Sequence, residues 1–407
     1  MVTAPVPEIP EYPMVRTCPF VPAPDVLQLQ RDAPISRVRL WDGSTPWIVS
    51  RYHDVRAILR DPRTSVEAAT PGYPDHSPAA HSRRKQIKTI MNSDNPEHAW
   101  RRRSLITDFT VKKAERMRPR LQEIMDQLLD KMLAGPNPGD FVSAVALPFP
   151  SIVISDLLGV DYDNHEMFQD YTTILASHTS TPEQQMDSAR GLIEYLAELV
   201  ARKERSRAGS GDDLASRLVD EYLRAGTMTR EDITMALYAL LQAGHETTAN
   251  QLALSVALLL DQPEHRRAVE SAADARDLAS AVEELLRYLS ISHRGRRRAA
   301  LEDIEIGGQI IRKGEGIIVL VDAANWDTEV FAEPGTLNLT RQRKSHVAFG
   351  FGVHQCIGQA LARVELQIAL ETLFRRAPTL HPVIPVAELR FKQDGVVYGL
   401  EELPVGW

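Results

Sequence analysis

The 407-residue sequence predicts a mainly α-helical fold with minor β structure, organised as one unit over residues 1–407. Three observations carry this. From about residue 97 to residue 282 the apolar pattern is helical, with only short polar breaks such as Gly209-Ser210-Gly211. Inside that stretch one helix runs unusually long, over residues 229–260. Strand-like runs are confined to VRLWDG and PWIVSR near the start, IEIGGQIIRKGEGIIVLVD later, and VVYGLEELPVGW at the end.

Along the chain, residues 1–20 carry Pro5, Pro7, Pro10 and Pro13, which suits an extended arm because proline has a fixed φ and no donor. The arm lacks a basic start followed by an apolar core, so it is not read as a secretory signal. The two early strand runs flank Asp42-Gly43-Ser44-Thr45 and read as a hairpin. Residues 64–95 show little periodicity and read as a long loop, a length usually reserved for function. The long helix starts on Thr229-Arg230-Glu231-Asp232, where a hydroxyl can cap and the acids favour the N terminus. Asp261-Gln262-Pro263 stops it. About 30 residues at 1.5 Å each span about 45 Å, a whole domain's width, which argues against dividing the chain.

Composition excludes classes without choosing a function. Lys and Arg total 47 against 55 Asp and Glu, a net −8 that argues against general nucleic-acid binding. Only Cys18 and Cys356 occur, so a disulfide framework is excluded and a reducing compartment is implied. No run of 18 apolar residues occurs, so no membrane-spanning helix is expected, and the protein is read as cytoplasmic.

Two constellations could carry chemistry. Ala243-Gly244-His245-Glu246-Thr247-Thr248 lies within the long helix and is made of residues poorly suited to simple helix stability. Glycine there allows close approach of a flat ligand, or equally a tight helix crossing. A zinc-protease reading needs a second histidine four residues after His245, and that position is Ala249. The second constellation is Phe349-Gly350-Phe351-Gly352-Val353-His354-Gln355-Cys356-Ile357-Gly358, followed by a helical run. A lone cysteine is ordinarily a small buried hydrophobe. Here it sits where a Gly-rich loop feeds a helix N terminus, a place that stabilises a thiolate. A Cys–His nucleophile is one possibility, and a thiolate ligand to haem iron fits better.

The loop resembles the cysteine signature of the cytochrome P-450 family, Phe-x-x-Gly-x-x-x-Cys-x-Gly, at Phe349, Gly352, Cys356 and Gly358. Glu284-Leu285-Leu286-Arg287 resembles its Glu-x-x-Arg pair, residues 243–248 its central-helix motif, and Asp94-Asn95-Pro96-Glu97-His98 with Arg102 its haem-contacting early helix. The resemblance is to the soluble bacterial class and implies a single triangular fold, a long central helix over haem b (iron protoporphyrin IX), and small β-sheets. It makes Cys356 the axial metal ligand, whose electron donation favours O–O cleavage. It puts His98, Arg102, Arg298 and His354 on the haem propionates, and Ala243, Gly244, Phe349 and Gly358 around the cofactor. Glu246 and Thr247 become the catalytic acid–alcohol pair that delivers protons during oxygen activation, while Glu284 and Arg287 are structural. Asn325 and Arg341 fall in the associated meander. Two residues depart from the pattern: Asn95 stands where this branch usually has proline, and Trp326 where it commonly has arginine. The run His293-Arg294-Gly295-Arg296-Arg297-Arg298 is unusually basic; one arginine would face a propionate, the others being solvated or lining the pocket.

By the same resemblance the substrate pocket draws on residues 64–95, 165–200, 236–248, 289–296 and 394–398, with Asn95, Leu237, Leu240, Leu241, Ile291, Val396 and Val397 as liners. Their apolar character suits a large hydrophobic small molecule, such as a secosteroid, macrolide or statin-like polyketide. The implied activity is a monooxygenase using O2 and two electrons from a ferredoxin and ferredoxin reductase, in a monomer that binds neither nucleic acid nor membrane. A peroxide-using or non-oxygenating haem-thiolate enzyme and a haem sensor are the alternatives. Arg101, Arg103, Lys112 and Lys113 form a basic surface able to steer an acidic ferredoxin, or an ordinary solvated helix face.

Overall fold

Helices with one apolar face must bury it against other helices, and here they do so in two large clusters. The computed structural model describes residues 9–160, 165–176, 180–209, 211–272, 274–341, 345–393 and 395–407. Pro5 and Pro7 of the expected arm, residues 177–179, Ser210 and Asp394 lie outside these. One cluster gathers the helices Arg118–Leu133, Glu246–Asp261, Ala275–Leu289 and Gln359–Arg376. The other joins Pro148–Leu158, Pro182–Arg205 and Arg230–Gly244. Among the described residues no helix is long and apolar enough to cross a membrane.

The expected hairpin is present as Ile35–Arg37 against Trp47–Val49, antiparallel with Ser36 opposite Ile48. Its ladder continues outside the strands, from Val38 N–H to the Pro46 carbonyl and Leu40 N–H to the Ser44 carbonyl. It forms one side of a five-stranded sheet in the order Ile35–Arg37, Trp47–Val49, Gly316–Val319, Arg296–Ala300, Thr64–Ser65. The basic run is therefore a near-central strand, with Arg296 opposite Val319 and Arg298 opposite Ile317. The arm pairs onto this region: Tyr12 N–H donates to the Arg39 carbonyl, and Arg39 N–H to that of Pro10.

Two expectations need correction. Residues 64–95 are not one irregular loop but hold the helix Pro78–Gln86, capped by Ser77, whose hydroxyl accepts from Ala80 N–H, and opened by proline at its first position. The central helix is also not continuous. Thr229 caps it as expected, with Asp232 completing a capping box, but it stops at Gly244 and restarts at Glu246. His245 holds the junction with ψ −74°. The Thr247 hydroxyl donates to the Ala243 carbonyl at 2.7 Å, the competition with the helix ladder that bends helices.

Candidate active site

The cysteine loop turns at Gly352, where another residue would not fit. Gly352 has φ +75°, and a Cβ there would lie 2.6 Å from the Leu59 carbonyl oxygen. The loop closes through Cys356 N–H to the Phe349 carbonyl at 2.9 Å and Gln355 N–H to that of Gly352 at 3.0 Å. Phe349 is held by the Arg363 guanidinium, 4.5 Å over its ring. Burial pushes the Cys356 thiol up, against the Gly358 N–H and the charges of Arg296, Arg102 and Arg363, which favour the thiolate. Cys356 borders a cavity of about 590 Å³, shared with Arg102, Phe109, Ile357 and Val364.

The loop is anchored from behind. Glu284 and Arg287, three apart on the helix Ala275–Leu289, form a doubly bonded pair at 2.7 and 2.8 Å, with both side chains almost wholly buried. The Arg341 Nε donates to both Glu284 oxygens at 3.1 Å, and Arg287 donates to the carbonyls of Asn325 and Pro334. Asn325 in turn accepts from Val347 N–H at 2.8 Å, two residues before Phe349. Trp326, at the departure position, packs on Tyr288 and donates to its carbonyl at 3.0 Å. Beside this network, burial would raise the Glu283 carboxyl, but hydrogen bonds from His346 and Arg363 hold it down to about 2.

Above the loop, four donor side chains converge. The His98 and His354 rings lie 4.0 Å apart. Burial, then Arg298, His98 and Arg102 together, push His354 down to about 3. His98 is lowered by burial and by Arg102 and Arg298, with Asp94 opposing. Burial lowers Arg298 to about 10. Asp94, the carboxylate named beside this group, accepts from Ser65 Oγ at 2.5 Å and Val66 N–H at 3.0 Å. His98 Nδ1 is buried without a partner among the described residues.

At the helix break, Ala243 is exposed and Thr247, one turn on, half-buried, so both lie on an accessible face. Glu246 is buried, which raises its carboxyl against the opposing charge of Lys392. Burial, then Lys392, push His245 down to about 4, and its Nδ1 lies 3.2 Å from the Thr172 hydroxyl.

Comparison with known proteins decides what this arrangement belongs to. The family model described as Cytochrome P450 matches residues 183–377. The chain is 45% identical over 403 residues to Cytochrome P450 CYP105Q4 of Mycobacterium marinum, covering 98% of this chain and 96% of that one. It is 41% identical to the Vitamin D3 dihydroxylase of Streptomyces griseolus, over 98% and 97% of the two chains. The structure of the mycinamicin VIII C21 methyl hydroxylase MycCI from Micromonospora griseorubida superposes with a TM-score of 0.91 at 38% identity, over 98% of this chain and 100% of that one.

The chain belongs to the cytochrome P450 family. It is an oxidoreductase that incorporates oxygen from O2, and its cofactor is haem b. The residues present fit that group. Four mutually repelling donors with an orphaned buried nitrogen need anions, and haem brings two carboxylates. A thiol raised by burial yet surrounded by cations suits a metal that takes it as thiolate.

The structure distributes the sequence-predicted pocket residues unevenly. Leu237 and Leu241 are correctly apolar but lie in the second core cluster, 0 and 2% exposed. A helix has one phase, and these two share their face with Gly244, whose absent Cβ would come within 2.9 Å of Ile154 Cδ1. Gly244 therefore serves the helix crossing, and only its backbone is left for the cofactor side. Leu240, three before Ala243, is on the accessible face but is itself buried. Ile291, Val396 and Val397 are half-buried, and Asn95 is exposed at the start of the early helix.

The basic surface is smaller than its sequence suggests. Arg101 pairs with Glu97 at 2.8 Å and approaches Asp232 at 3.8 Å, and Lys113 pairs with Asp108 at 2.6 Å; Arg103 and Lys112 are exposed. Sequence reasoning missed Arg84 and Lys392, and named Arg296 in the basic run without deciding whether it is solvated or lines the pocket. Period-two alternation in Arg296–Ala300 was the available signal for Arg296. Nothing local marks Lys392.

Proposed function

We propose that the chain, as a single haem-binding unit, is an external monooxygenase hydroxylating a C–H bond of a large hydrophobic small molecule with two electrons from a ferredoxin and its reductase. The acid–alcohol pair at the helix break carries this reading: a buried, protonatable carboxyl stands next to a hydroxyl on the accessible face. When bound, haem b supplies the redox centre for dioxygen activation, tuned by electron donation from a thiolate ligand.

The chain's own residues then have distinct tasks. Cys356 would supply the thiolate that holds the haem iron, and its loop is held in register by Asn325, Glu284, Arg287 and Arg341. His98, Arg102, Arg298 and His354 hold the propionates. Phe349, Gly358, Ala243 and the Gly244 backbone wall the cofactor. The Thr247 hydroxyl donates its hydrogen bond to the Ala243 carbonyl, so its lone pairs are left to accept from and orient a water. Burial keeps the Glu246 carboxyl able to hold a proton, which it passes to that water and regains from solvent.

Names of similar proteins support the substrate class: one relative is a vitamin D3 dihydroxylase and one neighbour hydroxylates a macrolide, mycinamicin VIII. A secosteroid, macrolide or statin-like polyketide fits, in a cytoplasmic monomer. Arg103 and Lys112, beside exposed Ile106 and Val111, offer the acidic ferredoxin a basic rim around an apolar centre. The test is product analysis under isotopically labelled dioxygen with ferredoxin, reductase and NAD(P)H. One labelled oxygen in the product is expected, with loss of the thiolate-specific Soret shift under CO in Cys356→Ala; unlabelled product formed with peroxide alone would refute the reading.

A further inference from the structure

The propionate cradle leaves one arginine unaccounted for. Arg296 and Arg298 stand two apart in the strand Arg296–Ala300, so their side chains share a face, while Arg297 turns to the other, where it meets His76 at 2.9 Å and the Tyr12 ring. Arg297 and Arg298 are buried; Arg296 alone in this strand is exposed. No hydrogen bond or ion pair is recorded for its guanidinium among the described residues.

Its place along the strand is informative. Two residues of strand put Arg296 about 6.6 Å from Arg298, towards Gly295 and the residues that precede it. There the chain meets the C-terminal segment: His293 Nε2 lies 3.0 Å from the Gly395 carbonyl, and Tyr398 N–H donates to that of Ile291. Arg296 thus stands between the cradle and the half-buried Ile291, Val396 and Val397 proposed to line the pocket. Its charge acts on Cys356 and is repelled by that of Arg84. Arg84 comes from the helix Pro78–Gln86 and is held by the Tyr73 hydroxyl at 2.9 Å, with Asp75 at 4.0 Å. The charge of Arg84, from a separate element, reaches both Arg296 and Arg297, and Asp75 beside it is also engaged by His81 at 2.8 Å.

We propose that Arg296, with Arg84 behind it, forms an anion subsite that binds the carboxylate of an otherwise hydrophobic substrate. This rests on the monooxygenase reading and narrows its substrate class to hydrophobic acids. The cradle of His98, Arg102, Arg298 and His354 takes the two haem carboxylates, and Arg296 is the cation left for a third. A planar guanidinium pairs with a carboxylate through two parallel bonds, which orients the ligand as well as holding it.

The test uses haem-loaded protein and three matched pairs: a linear fatty acid, a bile acid and an open statin acid, each against its methyl ester. Spin-state titrations are expected to show at least one acid binding about tenfold or more tighter than its ester. Arg296→Gln is expected to abolish that preference at unchanged haem content, Arg296→Lys to keep part of it, and Arg84→Gln to weaken it less. Acids binding no tighter than esters in all three pairs, or a preference that survives Arg296→Gln, would overturn the subsite. Loss of haem in Arg296→Gln would assign the side chain to a propionate and overturn it equally. A normal Soret shift under CO alongside these failures separates them from failure of the monooxygenase reading.

Discussion

The imidazoles of His98 and His354 lie 4.0 Å apart, tilted at 41°, and both feel the charges of Arg102 and Arg298. Neither ring can charge cheaply there. His354 is pushed from 6.5 to about 3, so between those values the unfolded chain binds a proton that the folded chain refuses. Stability contributed by this site is complete above about pH 6.5 and is lost as pH falls towards 3. The haem-free protein is therefore expected to lose stability on acidification through that window. Haem carboxylates supply the missing negative charge, so loading should raise the His354 pKa and flatten the loss. Denaturant unfolding against pH, with and without haem, checks this; identical profiles would separate the cradle from the propionates.

Thr247 already donates to a backbone carbonyl, so replacing it by alanine removes an oriented acceptor without exposing a buried donor. Thr247→Ala is expected to lower product per NAD(P)H by roughly a hundredfold, the low end for positioned proton transfer, with peroxide rising to match. Coupling equal to wild type would remove Thr247 from the proton path. Glu246→Gln should slow turnover while leaving substrate-induced spectral shifts intact.

Gly244→Ala would drive a methyl group to 2.9 Å from Ile154 Cδ1. Overpacking of this kind costs about 1–3 kcal/mol, read as a lower unfolding midpoint. The companion Ile154→Ala should restore most of the loss if the glycine serves the helix crossing. A midpoint unmoved by Gly244→Ala would place its importance elsewhere.

Removing Glu284 strands Arg287 and Arg341, one of them fully buried. Glu284→Ala is expected to cost about 3–5 kcal/mol, as for a buried ion pair losing one partner. Because Asn325 links this network to Val347, haem loading should fall alongside stability. Full loading at wild-type stability would show that the pair does not hold the cysteine loop.

Much of the site was legible because its signals are local. Thr229 and Asp232 specify a helix start within one turn, and Glu284 and Arg287 meet because they are three apart. The helix Pro78–Gln86 escaped notice because its mean character is polar and its one signal, Ser77 before Pro78, lies in a proline-rich stretch. Leu237 and Leu241 were misplaced for a different reason: apolarity does not say whether a residue faces a ligand or another helix.

By itself the sequence determined the cysteine loop, its glycines, the helix caps and the Glu284–Arg287 pair, since each depends on neighbours within a turn or a few bonds. Tertiary structure alone decided which helix face is core, where the central helix breaks, and which basic residues are already spent. Arg16 meets Asp322 across 306 positions and Arg217 meets Asp108 across 109, while Arg296 has no partner among the described residues. Such pairings arise only when distant segments pack together, and the charges they leave unmatched are the ones available to a ligand.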